Sequence, residues 1–111
     1  MEKQTKQTSP AKYQPTDEQV AKWKKQFPDG VHYYESADGE YAAVLRAPDR
    51  NVISVAAMES GGDPIKNVSI IVDNVWLGGD EALRKEDRYF LGLQKHVDSL
   101  LDIKQGTLRK L

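Results

Sequence analysis

Val31-His32-Tyr33-Tyr34-Glu35-Ser36-Ala37-Asp38-Gly39-Glu40-Tyr41-Ala42-Ala43-Val44-Leu45-Arg46 is the stretch that decides the fold. Val31, Tyr33 and Glu35 alternate with His32 and Tyr34, and Tyr41, Ala43 and Leu45 alternate with Ala42 and Val44. That period of two puts successive side chains on opposite faces of a strand. Between the runs lies Ser36-Ala37-Asp38-Gly39-Glu40, and Asp-Gly between β-prone runs is a strong hairpin signal. Two strands alone are marginal in water, so one face of the hairpin must pack against helices.

Upstream, the period becomes helical. Thr16-Asp17-Glu18-Gln19 is a capping-box pattern, with Thr16 as N-cap, Gln19 reaching back and acidic residues at the positive end of the helix dipole. Val20, Trp23 and Phe27 form one stripe, Lys22, Lys24 and Lys25 lie largely off it as a solvated face, and Pro28-Asp29-Gly30 ends the helix. Residues 1–15 hold a single large apolar residue besides Met1, Tyr13, and read as a flexible polar arm ahead of one domain over 16–111.

Downstream, Pro48 stops the strand and Asp49 caps a short apolar helix through Val52, Ile53, Ala56 and Ala57 that closes at Ser60-Gly61-Gly62. Asp63-Pro64 then restarts the chain as N-cap and first helical residue. Ile65, Val68, Val72, Val75 and Trp76 fit a helical stripe, although Val68-Ser69-Ile70-Ile71-Val72 is β-branched and also alternates. Length, the Pro entry and the Gly78-Gly79 exit favour helix over strand. A charged turn around Leu83 follows. The last stripe is Phe90, Leu93, Val97, Leu100, Leu101 and Lys104, with Asp87 as its cap. The expected order is an N-terminal helix, a β-hairpin, then three to four packed helices, an α+β domain.

The chain has 111 residues, 16 Lys and Arg against 17 Asp and Glu, and no Cys. A net charge of −1 provides no global field for nucleic acid or anionic lipid. No apolar run approaches the ~18 residues of a membrane span, and Met1-Glu2-Lys3-Gln4 opens no secretory signal. Without Cys there are no disulfides, thiolates or Cys-based metal sites.

Chemistry-bearing patterns are sparse. His32 and His96 lie in different elements without ligand partners at metal spacing, so His32 reads as a strand residue and His96 as a helix-surface residue. Neither a nucleophile elbow nor a Gly-rich phosphate loop is present. Gly78-Gly79-Asp80-Glu81-Ala82 has the letters of the cyclic-dinucleotide cyclase signature, but its setting suits a helix C-cap followed by a new N-cap. Tyr33, Tyr34 and Tyr41 could stack single-stranded bases, yet Glu35, Asp38 and Glu40 beside them have the wrong sign for a polyanion. Core packing under a helix accounts for them better. No catalytic, cofactor or metal residue is assigned, and no enzymatic activity is expected. A catalytic reading would need a concave pocket gathering titratable groups with shifted pKa values, for instance around His32 or His96.

One run carries a resemblance. Tyr41-Ala42-Ala43-Val44-Leu45-Arg46-Ala47-Pro48-Asp49-Arg50 followed by a small-residue helix, then Asp63-Pro64, a helix-forming segment ending in Trp76-Leu77 and an acidic stretch, resembles the small tail-assembly proteins of long-tailed phages and prophages. The likeness covers residues 31–101 as an order of elements, and in letters only Arg46-x-Pro48-x-Arg50, Asp63-Pro64 and Trp76-Leu77. It implies a non-enzymatic tail assembly chaperone in the bacterial host cytoplasm, one that coats a long helical tape-measure protein, recruits tube subunits and self-associates. The clear hairpin and the polar arm depart from that pattern. Aromatic and Arg residues are favoured anchors of such surfaces, which makes Trp76, Leu77, Tyr89, Phe90 and Arg46 the candidate partner-binding residues. Against this, Trp76 and Phe90 also suit the core, and Arg46 also suits an ion pair with Asp49 or Asp63. The other reading is a small regulatory or adaptor domain of a mobile element that binds a protein through the hairpin and its acidic surface.

Overall fold

The computed structural model describes residues 12–100 and 105–111. The elements run α1 (Asp17–Gln26), β1 (Val31–Glu35), β2 (Ala42–Arg46), α2 (Arg50–Ser60), α3 (Pro64–Val75), β3 (Trp76–Gly79), α4 (Ala82–Lys85) and α5 (Asp87–Val97), with a closing 3₁₀ turn at Asp98–Leu100. This is an α+β fold. Of the polar arm expected over residues 1–15, residues 1–11 lie outside the described residues, as does the end of the last apolar stripe at 101–104, whereas Lys12 and Tyr13 are bonded to Glu35 and Asp80.

The helix entries follow the residues that mark them. Thr16 Oγ1 accepts from the Gln19 amide at 3.1 Å while the Thr16 amide donates to Gln19 Oε1 at 2.9 Å, a complete capping box. Asp49 Oδ1 accepts from the Val52 amide at 2.9 Å, and Asp63 Oδ1 accepts from the amides of Ile65 and Lys66. Asp87, expected as a cap, is instead the first residue of α5. The N-cap is Glu86, whose side chain makes no capping bond, and Asp87 favours the helix by its charge at the positive dipole end.

The hairpin pairs β1 with β2, Val31 opposite Arg46 through Glu35 opposite Ala42. The sequence pattern predicts a two-stranded hairpin and a helix that runs through Trp76. In fact α3 stops at Val75, and Trp76–Gly79 turns back as β3, antiparallel to β2, giving the order β1-β2-β3. The register slips between Val44 and Leu45, leaving Leu77 as the extra residue of a bulge. Gly78 and Gly79 are therefore strand residues rather than a helix C-cap. Gly79 has φ +156°, and a β-carbon there would lie 2.5 Å from Ala43 Cβ and 2.8 Å from the Ala42 carbonyl oxygen. Glycine is what lets β3 approach β2 this closely.

Every residue from Ala42 to Leu45 is buried, so β2 is covered on both faces. One face carries Leu45, which joins Val52, Ala56, Ile71, Val72, Val75, Leu93, Val97 and Leu100 in the core, with Tyr34 packed against it. Each fully buried aliphatic side chain there contributes about 1.5–3 kcal/mol. Helices α2 and α3 pack on each other, as do α4 and α5, and Leu83 of α4 is fully buried. The opposite face, with Val44, is where α1 and residues 12–15 lie.

Candidate functional site

Two hollows flank the sheet. On its outer face, a groove of about 350 Å³ runs between α1 and the strands, lined by Val20 and Lys24 of α1 and by Val31, Tyr33 and Val44 of the hairpin, among others. No residue of α1 is buried, although Val20 and Trp23, with Phe27 at its C-cap, form an apolar stripe. The helix therefore rests on the sheet with that stripe half covered.

The N-terminal end of this groove is tied down by Asp80. A single oxygen of its carboxylate, Oδ2, accepts from the amide of Tyr13 at 2.9 Å and from that of Ala42 at 3.0 Å, joining the N-terminal segment, β2 and the end of β3. Tyr33 Oη donates to the Tyr13 carbonyl at 3.4 Å, and Lys12 forms an ion pair with Glu35. Burial, and secondarily the Asp80 charge, push the Tyr13 phenol up from its ordinary pKa.

The second hollow lies on the other side, between the hairpin turn and α5. Its inner part, about 170 Å³, is lined by His32, Tyr34, Leu45, Leu93, His96 and Leu100, among others. Its outer part, about 440 Å³, continues past Tyr34 and His96 to Ser36, Asp38, Arg88, Tyr89, Gly92 and Lys95. The rings of Tyr34 and His96 stand 5.6 Å apart at 53°, and burial raises the Tyr34 pKa. The turn itself is closely bonded. Asp38 Oδ1 accepts from Ser36 Oγ at 2.6 Å and from the Glu40 amide at 3.1 Å, while Oδ2 accepts from Tyr89 Oη at 2.6 Å. Those donors, Ser36 first and Tyr89 next, hold the Asp38 carboxyl below its usual range, and the same bond pushes the Tyr89 phenol up to about 12. Tyr41 meets Tyr89 edge-on, 4.9 Å between centroids, and Glu86 is the main cause of its own raised pKa.

The five residues singled out as partner anchors do not form one surface. Arg46 and Trp76 sit at the end of the sheet away from the hairpin turn, and Tyr89 lies beside that turn. Trp76 and Phe90 are half-buried against the core, and the Arg84 guanidinium lies 4.3 Å over the Trp76 ring. Leu77 is half-buried in the β3 bulge. Arg46 does not pair with Asp49 or Asp63. Its guanidinium donates to the carbonyls of Ala47 and Asn74 and lies 5.2 Å from the Phe27 ring centroid, because the strand end points it toward α1 and the α3 terminus.

Of the three tyrosines expected in the core, Tyr34 packs there and Tyr41 meets Tyr89. Tyr33 points to the outer face, 47% exposed. The sequence separated His32 from His96, and the fold sets them on two walls of one hollow. The available signal was the α5 spacing Arg88, Gly92, His96, one turn apart each time, which aligns them on a single helix face.

Among the described residues, no group of three or more His, Asp or Glu is placed to hold a metal ion, and no helix is long and apolar enough to cross a membrane. No family model, curated protein or solved structure matches the chain.

Proposed function

We propose that this chain is a non-enzymatic protein-binding assembly factor, similar to a phage tail assembly chaperone acting in the host cytoplasm. Its docking face is the groove between α1 and the outer face of the sheet. The occupant is an amphipathic helix of a long tape-measure-like partner, a helix-in-groove mode in which apolar residues at helical spacing enter the groove. The observation that carries this reading is that α1 holds Val20 and Trp23 on one stripe, continued by Phe27 at its C-cap, and buries none of its residues. Seating a second apolar helix there removes surface that the fold leaves half open. Lys24 on the groove wall and Lys22 and Lys25 nearby on α1 suit a partner helix with acidic flanks. The resemblance favours this kind of partner, and the half-open groove supports this place for it.

Co-expression with a long helical protein of tape-measure type tests the reading. A soluble complex is expected, and Val20→Asp with Trp23→Ser should abolish it. Both side chains are half covered by the sheet, so the variant should unfold at a somewhat lower temperature, and circular dichroism at the binding temperature should show it still folded. A complex that survives the double variant places docking elsewhere. Absence of any complex rejects the assembly role in favour of an adaptor that binds another protein through the hairpin.

A further inference from the structure

We propose that the cleft between the hairpin turn and α5 binds a small amphiphilic anion, with its carboxylate or phosphate head on Arg88, Lys95 and His96 and a short hydrocarbon tail over Leu93 and Leu100. This site is separate from the α1 groove and does not depend on it.

The cleft has two compartments of opposite character. The inner one is walled by Leu45, Leu93 and Leu100, and the outer one by the cationic side of α5. They meet at Tyr34 and His96, which line both. Arg88, Lys95 and His96 fall on one face of the helix, and among the described residues neither Arg88 nor Lys95 has an ion-pair partner. The acids on the opposite wall are already engaged. Both oxygens of Asp38 accept bonds within the hairpin and from Tyr89, and Glu35 is paired with Lys12. Asp38 keeps its negative charge, since its donors are neutral, but the two charges of Arg88 and Lys95 outweigh it, so a head group is held on the α5 side of the cleft.

Gly92 is the independent observation. It lies inside α5, one turn after Arg88 and one before His96, where glycine is the poorest helix former after proline. Packing does not require it. A β-carbon at Gly92 would meet only Tyr34 Oη, at 3.7 Å, an ordinary contact. What the missing side chain provides is open space between Arg88 and His96, opposite the Tyr34 hydroxyl. A head group placed there reaches Arg88 and His96 from one point, while its tail follows the Tyr34 ring inward.

The test is titration of the ¹⁵N-labelled protein with octyl phosphate, octanoate, inorganic phosphate and octylammonium. Both alkyl anions should shift the amides of Tyr34, Gly92, Leu93 and His96 along one saturating curve. Inorganic phosphate should bind at least about tenfold more weakly for want of a tail, and octylammonium should not bind for want of a negative head. The stronger of the two alkyl anions identifies the head chemistry. Arg88→Gln with Lys95→Gln should weaken both at least about tenfold. Gly92→Leu fills the hollow and should abolish binding. Gly92→Ala, which fits without displacement, should weaken it while raising the thermal midpoint, so that lost affinity cannot be ascribed to lost folding. Shifts elsewhere, equal binding of octylammonium, or full affinity in Gly92→Leu would each overturn the proposal.

Discussion

The phenol oxygen of Tyr13 occupies the space over Gly78, where a β-carbon would stand 2.6 Å from it. The strand is thin at this point because the N-terminal segment crosses it, and the Tyr13 amide is bonded to Asp80 just beyond. The obstructing atom is the far end of a side chain that can swing away. Gly78→Ala should therefore cost only about 1 kcal/mol, by displacing the Tyr13 ring. Hydrogen exchange of the Tyr13 amide measures this. The variant should lose protection there and keep it in the core, and unchanged protection would show that the ring is not seated over Gly78.

The neighbouring glycine should behave differently. At Gly79 the atoms in the way are Ala43 Cβ, Ala43 Cα and the Ala42 carbonyl oxygen, at 2.5–2.8 Å, and φ is +156°. These atoms belong to the central strand and cannot swing aside. Gly79→Ala should destabilise by about 3 kcal/mol or more, through both strain and separation of β3 from β2. Urea unfolding of the two alanine variants side by side checks the contrast, and equal losses would contradict it.

Asp80 provides a third case. Replacing it by Ala leaves the amides of Tyr13 and Ala42 without their shared acceptor, at a cost of about 1–3 kcal/mol. Asp80→Asn retains an oxygen at the same place and should lose less. If the two variants unfold at the same urea concentration, the double acceptance by one oxygen is not what holds the segment.

These particulars explain what the sequence could disclose. Local signals were legible where one residue acts on its own neighbours. Thr16, Asp49 and Asp63 cap helices a few positions away, Asp38-Gly39 turns a hairpin, and apolar stripes mark the faces that pack. The third strand was not legible, because Trp76-Leu77-Gly78-Gly79 is a strand only by virtue of β2 lying beside it. Paired glycines after a helical stripe look like a helix end, and their actual requirement, room for Ala43 and for Tyr13, is a contact made across more than thirty residues. The candidate sites were hidden for the same reason. His32 and His96 share a hollow only after the hairpin folds over α5, and nothing local to Val20, Trp23 and Phe27 says how much of their stripe the sheet will cover.

The bond from Tyr89 to Asp38 has consequences at both ends of the pH scale. Asp38 is held below its ordinary value of 3.8, so the stabilisation it provides is fully present above that value and is lost as pH falls through the lower, folded-state value. Tyr89 is raised from 10.0 to about 12, so its share is fully present below pH 10 and is lost as pH rises toward 12. Ultraviolet titration of the phenolates should show one tyrosine ionising near 12 that disappears in Tyr89→Phe. In Asp38→Asn, Tyr89 should titrate closer to 10. A Tyr89 midpoint that does not move on removal of the Asp38 charge would rule out the bond as its cause.

Arg84 decides how Trp76 should be regarded. Its guanidinium covers the Trp76 ring at 4.3 Å while Nη1 donates to Asp73 and Nη2 to Glu81, so that α4 is fastened to α3 across the indole. Arg84→Ala should cost about 1 kcal/mol and shift the Trp76 emission to the red, read in a Trp23→Phe background so that one indole reports. Arg84→Leu, which restores apolar cover without the charge, should recover part of both. The same variants discriminate between docking surfaces. With the partner helix on the α1 groove, uncovering Trp76 leaves its affinity unchanged, whereas an indole acting as an anchor would bind more tightly once Arg84 no longer had to be displaced. A gain in affinity on Arg84→Ala would move the docking face from α1 to the β3 end of the molecule.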